Sequence, residues 1–166
     1  MGRISRQQMF MEMAKVASKR ATCFRLNVGA VVTYQNSPVS VGWNGAEAGA
    51  PHCAGNDCPG IVPGNCGTLH AEVNALKKAE ELLGDRTEVD LYTTNSPCAD
   101  CVAYIKASSL RVKRLFFEIP YRNVDHLIEL RRWKGKVSQA RITDVYEVTP
   151  AGYIVDFFSR QVVELP

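Results

Sequence analysis

Four residues in this 166-residue chain have the types and spacing to do chemistry together: His70 and Glu72, separated by one alanine, and Cys98 and Cys101, separated by two residues and led by Pro97. Two thiolates and a neutral imidazole suit zinc and cancel its charge. Three protein ligands leave the fourth position of a tetrahedral ion to water, as in a catalytic site. Zinc lowers the pKa of such a water from about 16 to roughly 7. Glu72 is surplus to that ligand set. A carboxylate beside a metal-activated water can take its proton and hand it on as a general base and then a general acid. Taken singly, each piece has a duller reading. A C-x-x-C pair is also half of a structural zinc site or a redox pair, and H-x-E arises by chance. A thiol oxidoreductase, however, needs neither His70 nor Glu72.

The elements around these residues are the kind that position them. Glu88–Thr94 reads as a strand. Ser96-Pro97 after it reads as a helix start, with Ser96 at the N-cap and Pro97 at N1, and the helix runs to about Ser108. At a helix start, residues three apart share a face, and the free N–H groups favour thiolate over thiol. A second helix is predicted at about 69–83, with Leu69, Val73, Leu76, Ala79 and Leu83 on one side and Gly84 ending it. Upstream, Ser5 and Gln8 form a capping box for a helix from about 5 to 20. Met9, Phe10, Met13, Val16 and Ala17 are its expected core stripe. Val28–Tyr34 and Val39–Trp43, with turn residues 35–38 between them, predict a hairpin.

Downstream, Arg114–Ile119 predicts a strand, Asn123–Trp133 a helix and Thr143–Val148 a strand. Tyr153–Leu165 predicts two short strands around Ser159-Arg160. His126, beside Asp125 on its helix, reads as a surface residue. This order, with no repeats, predicts a single α/β domain over 1–166: a three-layer α/β/α sandwich on a five-stranded mixed sheet.

Composition narrows the class. The chain is 46% hydrophobic with a formal charge of +3, enough for a core and too weakly basic to argue for a nucleic-acid face. No apolar run reaches membrane-span length, and Arg3, Arg6 and Glu12 rule out a signal-peptide core. The expected location is the cytoplasm. Thiols stay reduced there, so the six cysteines read as metal ligands or small hydrophobes. Between about 44 and 68 the chain turns to Gly, Pro, Ala, Asn and Cys and loses all periodicity. Such a stretch needs something other than a core to hold it. Cys53, Cys58 and Cys66 lie in it, and Cys23 ends the first helix. A second, closed zinc site on these thiols would supply the missing folding energy, with His52 as a rival to Cys58 for the fourth ligand.

The joint pattern H-x-E…P-C-x-x-C is the signature of zinc-dependent nucleobase deaminases. Together with Lys19-Arg-Ala-Thr-Cys23, Val28-Gly-Ala-Val31, Gly42-Trp-Asn-Gly45, Pro51-His-Cys53, Cys66-Gly-Thr-Leu-His70-Ala-Glu-Val-Asn-Ala75 and Ser96-Pro-Cys-Ala-Asp-Cys101, it resembles the deoxycytidylate deaminase branch of the cytidine deaminase superfamily. The resemblance covers roughly Met9 to Tyr121. It implies the five-stranded cytidine-deaminase-like sandwich, zinc on His70, Cys98 and Cys101, and Glu72 as proton shuttle in the hydrolysis of dCMP to dUMP. It further implies two zinc ions per chain, with Cys23, Cys53 and Cys66 at positions matching the second site. Val28 and Ala30 would line the base pocket, Asn44 would reach the sugar, the Ala71 N–H would meet the cytosine carbonyl and Tyr121 would cover the substrate. It also implies a homo-oligomer, typically a hexamer, with Mg accompanying a regulatory nucleotide.

Trp43 stands where relatives often carry Tyr, and Leu26-Asn27 where they carry a longer polar or basic pair, which bears on fine substrate choice. Lys19, Arg20, Arg25 and Arg122 are the candidate partners of a substrate phosphate. The competing functions are another deaminase of the same fold, acting on dCTP, 5-substituted dCMP, tRNA adenosine, guanine or a free nucleoside, and a non-catalytic zinc-stabilised binding module. The weak charge disfavours a tRNA substrate. Retention of Glu72 disfavours the module.

Overall fold

The computed structural model describes residues 2–23, 26–45, 69–121, 123–133, 142 and 144–166. Among them four helices and seven strands follow one another as α1 (Arg6–Ser18), β1 (Gly29–Tyr34), β2 (Ser37–Trp43), α2 (Ala71–Leu82), β3 (Glu88–Asn95), α3 (Ala99–Ala107), β4 (Arg111–Ile119), α4 (Asp125–Trp133), β5 (Asp144–Val148), β6 (Ile154–Asp156) and β7 (Val162–Val163). The strands form one mixed sheet in the order β2-β1-β3-β4-β5-β6-β7. The pairs β3–β4 and β4–β5 are parallel and the rest antiparallel. The sheet therefore has seven strands rather than the expected five. The two short C-terminal strands turn back through Arg160, at φ 60°, and add to the β5 edge.

Alternation along the strands sorts the core into two clusters. Phe10, Met11 and Ala14 of α1 pack on Val31, Tyr92, Phe116 and Tyr146. Residues of the opposite parity, Ala30, Val32, Leu91, Leu115 and Phe117, pack with Ala71, Ala75, Leu76 and Ala79 of α2 and Val102 and Ile105 of α3. Side chains of a strand point alternately to its two faces, so α1 lies on one face and α2 with α3 on the other.

Local chemistry explains most element boundaries. Ser5 caps α1 by accepting from the Gln8 N–H at 3.0 Å. The β1–β2 hairpin turns on Gln35 and Asn36, both at positive φ (48° and 61°), the paired left-handed geometry that matches the twist of the strands. Pro38 is tolerated because β2 is an edge strand.

Three local expectations fail for physical reasons. In α1 the buried face is Gln7, Phe10, Met11, Ala14 and Ala17, while Met9 is 40% and Val16 63% exposed. The helix carries two apolar stripes at helical spacing, and the one with the small alanines approaches the sheet. Close approach is forced at Gly29, where any Cβ would collide with the Ala14 carbonyl of α1. In α2 the buried face is Ala71, Glu72, Ala75, Leu76 and Ala79. That helix ends on an extended Leu83, without a left-handed turn at Gly84. At the third helix the N-cap is Cys98, not Ser96. The Ser96 hydroxyl is occupied elsewhere, accepting from the Tyr121 N–H at 2.8 Å.

Candidate active site

His70 and Cys98 hold equivalent places, each the N-cap of a helix with extended backbone and no side-chain capping bond. Their side chains are thereby left to turn toward each other. The two helix starts are brought together by the sheet. The Leu69–Gly45 bridge ties the residue before His70 to the end of the β2 segment, through hydrogen bonds of 2.9 and 3.2 Å. Gly42 of β2 lies against the first turn of α2, where a Cβ would meet the Ala71 carbonyl and the Ala75 N–H. Cys98 follows directly from the C-terminal end of β3, the end at which parallel α/β sheets present their sites.

The ligand atoms of His70, Cys98 and Cys101 all lie within 4.8 Å of one another, and among the described residues they are the metal-capable group. His70 Nδ1 is 3.1 Å from Cys101 Sγ and 3.4 Å from Cys98 Sγ. Zinc bonds of 2.0–2.3 Å place tetrahedral ligands roughly 3.5–3.8 Å apart, so the group fits zinc with small adjustments. Its protons tell the same story. A hydrogen bond from Cys101, helped by His70, pulls the Cys98 thiol down to about 3 against its burial. Cys101 is pushed up, chiefly because it donates to Cys98 and because it is buried. His70 is raised by its bond to Cys98. The group already stabilises one thiolate, and a divalent cation would replace the shared protons.

Glu72 sits on the first turn of α2 and is 4% exposed. Its Oε2 lies 3.6 Å from Cys101 Sγ, and its Oε1 accepts from Thr93 Oγ1 at 3.3 Å. Burial raises its pKa, so it holds a proton more readily than an exposed carboxylate. A carboxyl group beside a His-Cys-Cys group and able to carry either charge state is equipped for proton transfer next to a metal.

Around this centre, Val28, Ala30 and Ala71 belong to one buried cluster. Ala71 opens α2, so its N–H is among those the helix leaves unpaired. Asn44 is 7% exposed and committed to the chain. Its Oδ1 accepts from the Val28 N–H at 2.7 Å and its Nδ2 donates to the Leu26 carbonyl at 2.6 Å. Tyr121 is half-buried, burial and then the charges of Glu72, Cys98 and Cys101 raise its pKa, and its N–H is tied to Ser96 at 2.8 Å, two residues before Cys98. Cys23 is buried, and its neighbour Thr22 donates its N–H to the Asn44 carbonyl at 3.1 Å, beside the start of the Cys-rich stretch. Cys53, Cys58, Cys66, His52, Arg25 and Arg122 lie outside the described residues. Lys19 is exposed, and the Arg20 guanidinium lies 5.5 Å from the centre of the Trp43 ring, whose surroundings also hold Lys78 Nζ at 4.8 Å.

His126 corrects a sequence expectation. It is partly buried, and its Nε2 donates to the Pro97 carbonyl at 2.6 Å, so α4 touches the peptide that leads into Cys98. Thr93, Ser96 and His126 were all invisible as site residues. The one sequence signal was the polar run Thr93-Thr94-Asn95-Ser96 at a strand end where a core strand would be apolar.

The family model of the cytidine and deoxycytidylate deaminase zinc-binding region matches residues 4–119. ComE operon protein 2 of Bacillus subtilis is 31% identical over 161 residues, which span 97% of this chain and 80% of that protein. The deoxycytidylate deaminase of Mycobacterium phage D29 is 37% identical over 125 residues, 66% of this chain and 93% of that one. Among solved structures, the dCMP deaminase of cyanophage S-TIM5 in complex with dCMP and dUMP superposes with a TM-score of 0.67 at 29% identity, covering 85% of this chain and 95% of that one.

Proposed function

The chain belongs to the cytidine and deoxycytidylate deaminase family, and from that premise we propose that it hydrolyses the ring amino group of a deoxycytidine 5′-phosphate, converting dCMP and water to dUMP and ammonia. The observation that carries the reading is Glu72, a buried carboxyl group against the His70–Cys98–Cys101 group that a merely structural metal would not require. The cyanophage relative that binds dCMP and dUMP supports a nucleotide substrate. Helices on both faces of the sheet agree with the three-layer sandwich of such enzymes.

His70, Cys98 and Cys101 would hold zinc, which when bound supplies the Lewis acidity that makes water a nucleophile at neutral pH. Glu72 takes the proton from the attacking water and delivers it to the ring nitrogen beside C4. The water oxygen bonds to C4 as this happens. Glu72 then takes the second proton from the new C4 hydroxyl and passes it to the amino group, so that the C4 carbonyl forms as the C–N bond breaks and ammonia leaves. The helix-start N–H of Ala71 meets the ring carbonyl, and Val28 and Ala30 wall the base. Asn44 fixes the sugar through the hydrogen-bonding capacity left after its two main-chain contacts, and Tyr121 covers the ring. Lys19, Arg20, Arg25 and Arg122 are the candidate phosphate partners, of which Arg20 is engaged with Trp43. Cys23, Cys53, Cys66 and either Cys58 or His52 would hold a second zinc, which would supply folding energy to the stretch at about 44–68. The active form is a homo-oligomer.

Steady-state ammonia release from deoxycytidine, its mono- and triphosphate and cytidine monophosphate, with zinc quantified, tests the reading. The expected result is dCMP preferred over the nucleoside by at least about tenfold in kcat/KM, since one hydrogen bond to a charged group contributes about 1.5–3 kcal/mol, with about two zinc ions per chain. Equal rates on nucleoside and nucleotide would remove the phosphate contact. A ratio of one zinc would remove the second site and leave the first.

A further inference from the structure

Thr93 is the polar member of an otherwise apolar row. It is fully buried, and its register partners on either side are Ala30 of β1 and Phe117 of β4, both fully buried. By alternation it faces the same side as Leu91, toward α2 and α3. A threonine hydroxyl has one hydrogen and two lone pairs. The hydroxyl of Thr93 lies 2.9 Å from the Asn95 carbonyl and 3.3 Å from Glu72 Oε1. Both contacts run from a strand residue to groups at the edge of the catalytic centre, and the contact to Glu72 crosses from the sheet to the first turn of α2. The other carboxyl oxygen, Oε2, is the one near Cys101.

We propose that Thr93 is a positioning residue for the reaction: its hydroxyl holds Glu72 Oε1 against the sheet and so keeps Oε2 turned toward the His70–Cys98–Cys101 group. The proposal rests on the proton-transfer role given to Glu72 above. It follows from the burial around the contact. Beside an apolar row the hydroxyl is a directional polar contact for Oε1, and it favours the rotamer in which Oε2 faces Cys101. A hydroxyl also suits a partner that gains and loses a proton in each turnover. It donates to a carboxylate, and it accepts from a carboxylic acid while donating to the Asn95 carbonyl.

The test compares Thr93→Val and Thr93→Ser, each alone and combined with Glu72→Gln, on the nucleotide of the panel that the unmodified enzyme turns over fastest. Thr93→Val is expected to lower kcat by about tenfold to a hundredfold, as misplaced catalytic groups do, with KM within about twofold and zinc content unchanged by the same geometric argument. Thr93→Ser should restore most of kcat. In the Glu72→Gln background Thr93→Val should have no further effect, because groups that act as a unit are not additive. If Thr93→Val does not fold, Thr93→Ala against Thr93→Ser gives the same reading, since both lose the γ-methyl and differ only in the hydroxyl.

An unchanged kcat in Thr93→Val overturns the proposal. So does an equal loss in the Val and Ser variants, or an equal loss with and without Glu72. A Glu72→Gln enzyme with near-normal turnover instead overturns the role of Glu72, and that single variant separates the two failures.

Discussion

Tyr92 and Thr93 are neighbours in β3 and belong to different halves of the molecule. Tyr92 points to the α1 face, where its ring stacks on Phe116 with centroids 4.3 Å apart and planes 2° from parallel. Phe10 stands over it at 5.2 Å, and Tyr146 extends the stack beyond Phe116 at 5.1 Å. Thr93 points to the α2 face, where the row runs Ala30, Thr93, Phe117 and the neighbour above is Glu72. One face is built of large rings that gain their stability from area and offset contacts. The other is packed mainly with aliphatic side chains and alanines and ends in a polar centre. A strand with a period of two lets a single stretch of chain serve as scaffold on one set of alternate residues and as chemistry on the other. The residues that must be rigid and the residues that must react are held by the same backbone hydrogen bonds.

That division can be broken by experiment. The largest effect is expected on the reactive face. Glu72→Gln should lower kcat by about 10²–10⁴-fold while leaving the zinc content and the melting temperature where they are. A loss of stability on the same scale would mean that Glu72 is part of the scaffold. On the opposite face Phe116→Ala should do the reverse. It should cost about 3–5 kcal/mol of unfolding free energy, read from a urea melt, with kcat per folded molecule unchanged. A fall in kcat at unchanged stability would couple the faces and end the comparison.

The smallest effect belongs to a residue with a share in both. Asn44→Ala removes two hydrogen bonds to the chain at Leu26 and Val28, at a cost of about 1–3 kcal/mol, and should raise KM more than it lowers kcat. If only stability moves, Asn44 is a brace and the sugar contact is made elsewhere.

What the sequence made legible follows the range of the signal. His70, Glu72, Cys98 and Cys101 could be found because their spacing is a local chemical pattern, and the helix starts that hold them carry local signals too. The order of elements was legible from periodicity, the two short strands around Ser159-Arg160 included, but not that these two would extend the sheet to seven. The inward face of α1 was not, because Met9, Met13 and Val16 have the same spacing as Phe10, Ala14 and Ala17. Only the presence of Gly29 across the interface decides between the stripes. Ser96 reads as a helix cap to any local rule, yet its hydroxyl serves Tyr121, twenty-five positions away. His126 looked like a surface residue for the same reason, since its partner Pro97 lies on another element. Hydrogen bonds that close over such separations leave no trace in a window of neighbouring residues.

Gly42 has one more consequence. Buried aliphatic side chains can be exchanged for others of similar volume at a cost usually below about 1.5 kcal/mol, and the helices shift slightly to absorb each exchange. At Gly42 there is nothing to exchange: main chain rests on main chain, at the turn of α2 that follows His70 and carries Glu72. Helix α2 is thus set by main chain at its reactive end, while its far end is held through side chains: Glu80 accepts from the Tyr104 and Ser108 hydroxyls, and Lys78 donates to the Val41 carbonyl. Side-chain exchanges in the core would therefore be taken up at the far end of the helix before they reached the turn that carries Glu72.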